Sequence, residues 1–326
     1  MRIIITTRFY RNGQTTHVTD LCTELMRQGH QVLLIMTDLH DPTYSRWLRK
    51  ARISFITTSN QAKAVRYCSK WFAGPHIIHN HSSHTMALAK TLSSQLHIPT
   101  ITTVHYLDFE LMRSLPSQDA VILISDEMEE VLGTFGTPTY VVENGVPLPL
   151  LHRKAWRQQA LFLAQVTPDK EDNFRRMTEC LLSWDWKVHS AGNWKHKGVV
   201  QYGWVNRIYP LLAQSDLVLG TGRAVREAMI AGKPAWVLGT YSDGLVTSSN
   251  VEHLRKTNFS GRSSKQRFEA SDAALHLKNP VPSILQALGS WGRRYAEQHF
   301  SIEDMTRKLI AIYEECISKC SRDTVR

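Results

Sequence analysis

The stretch DLVLGTGRAVREAMIAGKPAWVLG, residues 216–239, decides the fold that this sequence predicts. Leu217 to Leu219 is an apolar run typical of a short buried strand, and Gly220-Thr221-Gly222 is a tight turn. Arg223 to Ala231 has the spacing of a helix, and Ala235 to Leu238 is a second apolar run. The stretch therefore predicts a βαβ unit with a glycine turn between its first strand and its helix.

Such a turn also indicates a function. It places backbone N–H groups and the positive end of a helix dipole where a phosphate binds. Glu227 follows five residues after Gly222, within reach of a ribose attached to that phosphate. Many α/β proteins have glycine between strand and helix, so the turn alone leaves both a binding and a purely structural interpretation open.

Length and composition bound the possibilities. With 326 residues, 42% of them hydrophobic, the chain is long enough for one long or two medium domains. It has no apolar run of the roughly 18 residues that a membrane span needs, and no signal-peptide cleavage site follows Met1. Five cysteines form no Cys-x-x-Cys pair. These features predict a soluble, cytoplasmic protein with reduced thiols.

The positive charge lies mostly in the second half of the chain. Residues 1–150 hold 13 of the 39 Lys/Arg and 12 of the 29 Asp/Glu, which leaves 26 and 17 for residues 151–326. This excess suits an anionic membrane surface or a phosphorylated small ligand. No basic run with interleaved aromatics, zinc-finger spacing or repeat is present, so nucleic acid is not expected as a partner. Peripheral contact with the inner face of a membrane stays open, and the oligomeric state is not indicated.

The first half of the chain alternates strand and helix patterns. After the first strand come a polar loop, Arg8 to Gln14, and a helix from Thr16, but no Gly-x-Gly-x-x-Gly, which argues against a dinucleotide-dependent dehydrogenase. Further helices are expected over 84–96 and from Asp126. The predicted strands are Arg2–Thr6, Gln31–Met36, Pro75–His79, Thr100–Val104, Ala120–Ile124 and Thr139–Val142.

Polar side chains follow two of these strands. His79 and His81, two residues apart, point to the same side and suit a metal site, a structural role or substrate contact, but no third ligand is evident nearby. His105 ends the next strand, at the edge where open α/β sheets bind ligands. It is the stronger functional candidate of the three.

The second half repeats the alternation after a stiff connector with Pro147 and Pro149. We therefore predict two α/β domains, 1–148 and 149–300, and a C-terminal helix, 301–326, which follows a break near Phe300-Ser301. The additional predicted elements are the strands Leu161–Val166, Lys187–Ser190 and Val199–Tyr202, the helix Asn173–Trp184 and a loop at Tyr241–Gly244.

Seven short motifs in order make the chain resemble a known family. They are Gly13 with Arg27-Gln28-Gly29-His30-Gln31-Val32, His79-Asn80-His81-Ser82, Thr103-Val104-His105-Tyr106-Leu107-Asp108, Ser125-Asp126, Asn144-Gly145-Val146, Thr167-Pro168-Asp169-Lys170, and Arg223 to Pro234. In this order they resemble the nucleotide-sugar-dependent glycosyltransferases of the GT-B fold, specifically the retaining glycosyltransferase family 4. The resemblance covers almost the whole chain.

The resemblance implies a fold and a reaction. Two Rossmann-like domains would face each other across a cleft, the first on the acceptor side and the second binding the nucleotide sugar, with the C-terminal helix packing back on the first. The enzyme would transfer a sugar from a nucleoside-diphosphate sugar, most readily a UDP-sugar, to an unknown acceptor and retain the anomeric configuration. The resemblance implies no metal or other cofactor, and the chain has no Asp-x-Asp motif.

The resemblance also implies roles for individual residues. Catalytic roles fall to His105, Lys170 and Glu227. The backbone amides of 220–224 and the side chain of Lys170 would face the diphosphate. The full set of implied donor-binding residues is Gly13, Gln165, Lys170, Gly220, Thr221, Gly222, Arg223, Ala224 and Glu227. Sugar or acceptor contact falls to His81, His105, Asp108 and Asn144.

Three positions depart from the family pattern. Leu219 stands where a second glutamate usually contacts the sugar, Gln165 where an arginine forks onto the diphosphate, and Asn12 where a second glycine precedes Gly13. Arg223 or Arg226 would then have to replace the missing arginine. The Gly-Thr-Gly-Arg turn and the segment Asn258-Phe259-Ser260-Gly261-Arg262 resemble those of a subset of the family, so Leu219 need not mean an inactive enzyme. A non-catalytic sugar-nucleotide or glycan-binding relative and a GT-B sugar-nucleotide epimerase are the alternatives.

Overall fold

A computed structural model describes residues 1–71, 74–150 and 155–323. The chain forms two compact units. Unit 1 consists of Met1–Gly145 together with Ile302–Arg326, and unit 2 consists of Val146–Ser301. The chain thus leaves unit 1 once, builds unit 2 without interruption, and returns to unit 1 with its last helix.

Unit 1 alternates strands and helices along the chain. Its strands are β1 (Arg2–Phe9), β2 (Gln31–Leu39), β3 (Ser54–Thr57), β4 (Ile77–Asn80), β5 (Thr100–Val104), β6 (Ala120–Leu123) and β7 (Thr139–Val141). Its helices are α1 (Gly13–Arg27), α2 (Thr43–Lys50), α3 (Gln61–Ser69), α4 (Met86–Leu96), α5 (Asp126–Leu132) and, after unit 2, α12 (Ile302–Asp323).

The seven strands of unit 1 form one parallel sheet in the order β3-β2-β1-β4-β5-β6-β7. Central strands such as β5 are buried along their whole length, which explains their unbroken apolar and threonine sequences. The strand order reverses direction between β1 and β4. This is the switch point at whose carboxyl edge open α/β sheets bind ligands.

Helix α12 completes a core of unit 1. Ile302, Met305, Leu309, Ile312 and Tyr313 pack among apolar residues of α1 and the sheet. These positions recur at i, i+3, i+4 and i+7, so α12 presents one apolar stripe to the unit.

Unit 2 has the same alternation. Its strands are β8 (Gln159–Ala164), β9 (Lys187–Gly192), β10 (Val199–Gln201), β11 (Leu217–Gly220), β12 (Ala235–Leu238) and β13 (Ser242–Leu245). Its helices are α6 (Glu171–Ser183), α7 (Tyr209–Gln214), α8 (Arg223–Ile230), α9 (Val251–Lys256), α10 (Ala270–Leu277) and α11 (Pro282–His299).

The sheet of unit 2 has the order β10-β9-β8-β11-β12-β13. All neighbouring pairs are parallel except β12 and β13. The order reverses between β8 and β11, and Gly220 at the end of β11 lies beside Leu163 of β8. The turn after β8 and the glycine turn after β11 therefore emerge side by side at the switch point of this sheet.

Two of the predicted loops are wrong. The loop at Arg8–Gln14 is shorter, because β1 runs to Phe9 and α1 begins at Gly13. The side chain of Asn12 accepts a hydrogen bond from the Thr15 amide at 3.0 Å and caps that helix. The loop at Tyr241–Gly244 contains β13, which pairs with β12 through Gly244 and Val237.

None of the helices in the described part of the chain combines the length and apolarity that crossing a bilayer needs.

Candidate functional site

The glycine turn of unit 2 is held by close contacts that need glycine. A Cβ atom at Gly220 would lie 2.5 Å from the Leu163 carbonyl oxygen and 2.9 Å from the Ala224 Cβ. Gly222 has φ +55°, in the left-handed region, and forms the N-cap of α8. Glycine is thus required at Gly220 by space and favoured at Gly222 by backbone conformation.

Two amides of this turn have acceptors within the protein. The Gly222 amide donates to the Phe259 carbonyl at 2.9 Å, and the Ala224 amide donates to the Thr221 carbonyl at 3.1 Å. Both groups are used within the protein, so they would have to leave these acceptors to serve as the diphosphate donors that the sequence predicted. The reason is tertiary: the segment at 258–260 packs on the turn and supplies the acceptor for Gly222.

Arg223 and Glu227 form a shielded ion pair on α8. The Arg223 Nε donates to the Glu227 Oε1 at 2.8 Å, and the two side chains are 10% and 8% exposed. The pair brings together two of the predicted donor residues.

Arg226 does not replace the missing phosphate arginine. Its side chain is fully buried, its Nη1 donates to the Asn258 Oδ1, and its guanidinium lies 5.2 Å from the Phe259 ring centroid and 4.9 Å from that of Phe300. Asn258 and Phe259 have φ of 55° and 52°, which is rare for a bulky side chain. The Asn-Phe-Ser-Gly-Arg segment therefore locks onto the glycine turn through strained backbone and a buried arginine.

The second predicted donor element, the turn after β8, lies beside the glycine turn. Lys170 is partly buried, and its Nζ donates to the Gln165 backbone carbonyl at 3.3 Å. Burial lowers the pKa of Lys170, and the charge of Asp169 opposes that shift. Hydrogen bonds from Thr167 and Thr240 hold the pKa of Asp169 low, so the turn carries a carboxylate next to its lysine. The Gln165 side chain is exposed.

Leu219 lies in the core of unit 2. It is fully buried in β11 and packs with Phe162 and Trp236. A glutamate at this position would place an unpaired carboxylate among apolar side chains, at a cost of several kcal/mol. Position 219, where the family pattern has a glutamate, is therefore a core position in this protein.

Three histidines come together at the carboxyl edge of the unit 1 sheet. His81 follows β4, His105 follows β5, and His17 lies on α1, which follows β1. Their ring centroids are 5.5 Å (His17–His81), 5.2 Å (His17–His105) and 5.3 Å (His81–His105) apart. One ligand atom from each lies within 4.8 Å of those of the other two. The expectation that no third ligand lies near His81 is thus wrong, because the sheet topology brings distant parts of the chain together.

His79 has a different role from His81. Its Nδ1 is 2.7 Å from the Tyr313 hydroxyl, and its Nε2 is 2.7 Å from the Thr103 hydroxyl. Both ring nitrogens are engaged and the side chain is fully buried. Of the interpretations for His79, the structural one fits this geometry.

Burial keeps these imidazoles neutral. It lowers the pKa of His105 to about 3, and burial with the nearby His105 lowers the pKa of His79 to about 3. Burial and the neighbouring histidines place the pKa of His81 well below its usual range. At pH 7 these rings offer lone pairs and N–H donors but no charge.

The remaining predicted residues of unit 1 surround this edge. Gly13 forms the first residue of α1, one position after its cap. The neighbouring Gln14 donates from its Nε2 to the His81 carbonyl and accepts from the Tyr106 hydroxyl at 3.2 Å. Asp108 is exposed on the loop after His105. The Asn144 Oδ1 is buried without a hydrogen-bond partner among the described residues.

Sequence reasoning missed His17 and Asn258 as site residues. His17 occupies the buried stripe of α1 with Leu21 and Leu25, and it is 4% exposed. A titratable residue on an apolar stripe is the signal that points to it. For Asn258, the only signal in the sequence is its position in the Asn-Phe-Ser-Gly-Arg motif.

The comparisons agree with the motifs. Residues 11–149 match the sequence model of Glycosyltransferase Family 4, which confirms the resemblance for this part of the chain. No curated protein matches the chain by sequence.

Solved structures share the fold of the whole chain at low identity. HepE of Anabaena, in complex with UDP and glucose, matches with a TM-score of 0.72 at 14% identity, over 97% of this chain and 100% of that one. Sucrose-phosphate synthase of Thermosynechococcus elongatus matches with 0.69 at 14%, over 98% and 100%. A mutant of S. aureus TarM, in complex with fondaparinux, α-GlcNAc-glycerol and UDP, matches with 0.69 at 11%, over 96% and 99%. The predicted GT-B fold class is confirmed.

Proposed function

We propose, from the GT-B fold of the chain and the family-4 sequence in its first unit, that the protein is a metal-independent, retaining glycosyltransferase. It takes a sugar from a nucleoside-diphosphate sugar, with a UDP-sugar as the first donor to test because HepE and TarM were solved with UDP. The donor binds unit 2 and the acceptor binds unit 1. The observation that carries the proposal is the glycine turn of β11 beside the Lys170 turn, with the Arg223–Glu227 pair on the helix between β11 and β12.

The proposed donor site has positively charged side chains next to both turns. Lys170 and Arg223 are cations next to the two turns, and a diphosphate leaving group needs positive charge as the glycosidic bond breaks. In the glycine turn the amides of Gly222 and Ala224 donate to carbonyl oxygens of the protein. We therefore expect the negative charge of the diphosphate to be neutralised by side chains, chiefly Lys170, more than by the helix N-terminus.

His105 is the proposed sugar contact. Its ring is half-buried at the end of β5 and neutral at pH 7, so it can share a hydrogen bond with a sugar hydroxyl without adding charge. Asp108 lies nearby on the same loop. The acceptor is a hydroxyl compound that approaches this edge of unit 1.

Donor binding is the first test. UDP, GDP and dTDP, free and as sugar conjugates, are titrated calorimetrically, and one of them should bind at sub-millimolar concentration. Glu227→Ala should weaken that binding by about 1–3 kcal/mol, because ribose hydroxyls lose their acceptor. Glu297→Ala, at an exposed position of α11, is the matched control, and circular dichroism confirms that both variants are folded. If no nucleotide binds at millimolar concentration, the proposal fails.

Turnover separates an enzyme from a non-catalytic relative. Nucleotide release is followed with the best donor, with and without a panel of sugars, lipids and glycerol derivatives as acceptors. Lys170→Ala should lower turnover by at least 10-fold, through loss of leaving-group stabilisation. Binding with no hydrolysis or transfer across the panel would instead favour a sugar-nucleotide-binding protein.

A further inference from the structure

We propose that unit 1 binds one Zn²⁺ ion through His17, His81 and His105. The site lies entirely within unit 1, at the switch point of its sheet. None of its three ligands is among the donor residues proposed in unit 2, and the proposal stands without the transferase activity because it is tested by binding alone.

The spacing of the rings fits three imidazoles on one ion. A Zn–N bond is about 2.0–2.1 Å, so ligand nitrogens on a tetrahedral ion lie about 3.3 Å apart and their ring centroids about 5 Å apart. The three centroid distances here are 5.2, 5.3 and 5.5 Å. The His81 Nδ1 and the His105 Nε2 form a hydrogen bond of 3.0 Å, which metal binding through either of these nitrogens would replace. A nearly equilateral triangle of this size is the arrangement that a shared ion requires.

The hydrogen bonding of His81 provides a second observation. His81 is 1% exposed, yet its Nε2 has no hydrogen-bond partner among the described residues. A buried polar nitrogen without a partner costs about 1–3 kcal/mol. His79, whose ring is 4.0 Å away, has both nitrogens engaged instead. The structure thus separates a satisfied, structural histidine from one whose hydrogen bonding is incomplete.

The donor set selects the kind of ion. Three imidazoles with no carboxylate suit Zn²⁺ and similar transition metals, whereas Mg²⁺ and Ca²⁺ prefer oxygen ligands. His105 is half-buried, so the ion would keep an open coordination position on that side.

A bound ion has a consequence for the proposed reaction. His105 is the proposed sugar contact, and a metal on its ring would withdraw that ring from the sugar. Bound zinc would therefore inhibit the proposed sugar transfer.

The test uses untagged, chelator-treated full-length protein. Titration of Zn²⁺ against a chromophoric chelator should show one equivalent bound per chain. X-ray absorption of the loaded wild-type protein should show about three imidazole nitrogens at roughly 2.0–2.1 Å. Absence of stoichiometric binding, or a shell made only of oxygens, would overturn the proposal without any variant.

Variants then assign the ligands. His17→Ala, His81→Ala and His105→Ala should each weaken binding by at least about 10–100-fold, the loss that even an outer-shell change causes. His253→Ala, at an exposed position on α9, should bind as the wild type does. Circular dichroism checks the folding of each variant. Unchanged affinity in all three cluster variants would refute the assignment.

Discussion

At the scale of single residues, burial decides what each polar side chain does. Arg223 and Glu227 are joined across one helical turn by an Nε–Oε1 contact of 2.8 Å, and Arg293 and Glu297 are joined by the same atoms at the same distance. The first pair is 10% and 8% exposed, the second 34% and 39%. Identical geometry in different surroundings makes the two pairs a natural comparison.

Glu227→Gln should destabilise the protein by about 2–4 kcal/mol, because it removes the carboxylate charge that faces the shielded Arg223 guanidinium. Glu297→Gln should cost less than about 1 kcal/mol, because water screens that pair. Urea unfolding at pH 7 measures both. Equal losses in the two variants would show that burial does not govern the Arg223–Glu227 pair.

The neutral histidines predict a pH dependence. An unfolded histidine titrates near pH 6.5, whereas the pKa of His79 and of His105 in the fold is about 3 and that of His81 is well below normal. Between these values the unfolded chain binds more protons, so stability should fall as pH falls below about 6.5. Each such group contributes a slope of up to about 1.4 kcal/mol per pH unit.

Urea unfolding of the metal-free protein between pH 7 and pH 5 measures that slope, in a range where most carboxylates stay ionised. His81→Gln should reduce the slope, because glutamine does not titrate. His253→Gln, at an exposed site, should leave it unchanged. A stability that does not vary with pH over this range would contradict the assignment of buried neutral rings.

At the scale of elements, close backbone contacts fix how helices meet. Helix α11 crosses α8 near Gly289 and Gly292. A Cβ at Gly289 would lie 2.3 Å from the Gly232 carbonyl oxygen, whereas at Gly292 the nearest atom is the Met229 Cγ at 3.7 Å. The same substitution on one helix therefore meets backbone at one position and an ordinary side-chain contact at the other.

Gly289→Ala should destabilise the protein by about 1–3 kcal/mol, because the α8–α11 contact must open. Gly292→Ala should be neutral or stabilise it by up to about 1 kcal/mol, because alanine favours helix. Thermal unfolding of the two variants under one condition gives the comparison. Destabilisation of equal size at both sites would contradict the close approach at Gly289.

The elements also show what sequence predicts and what it does not. The strands β11 and β12 and the helix α8 lie close to their predicted bounds, because apolar runs and a glycine turn are local signals. Strand β13 (SDGL) has no such signal and exists because β12 offers it an edge. The contact between the Gly222 amide and Phe259, and the approach of His17 to His81, depend on tertiary packing, which no local pattern encodes.

At the scale of the whole molecule, α12 is part of unit 1 although it follows unit 2 in the chain. Tyr313 lies fully buried on this helix, 234 residues after its hydrogen-bond partner His79. The core around it includes residues from α1 and the sheet. A local change in the last helix is therefore expected to act on the first unit.

Tyr313→Phe should destabilise unit 1 by about 1–3 kcal/mol, because the His79 Nδ1 loses its partner in a buried site. Tyr67→Phe, at a side chain that is 45% exposed, should change stability by less than about 0.5 kcal/mol. Hydrogen exchange resolved by peptide should place the loss in residues 1–145 and 302–323. A loss confined to 146–301 would contradict the placement of α12.

The return of α12 also orders events during synthesis. Translation proceeds from the first residue, so residues 1–145 leave the ribosome early. At that point they still lack α12, which contributes part of their apolar core. Unit 2 is continuous and can finish folding as soon as Ser301 has emerged. The unit that is made first is thus completed last, and a nascent chain stalled between the two units would keep apolar surface of its amino-terminal half open to chaperones.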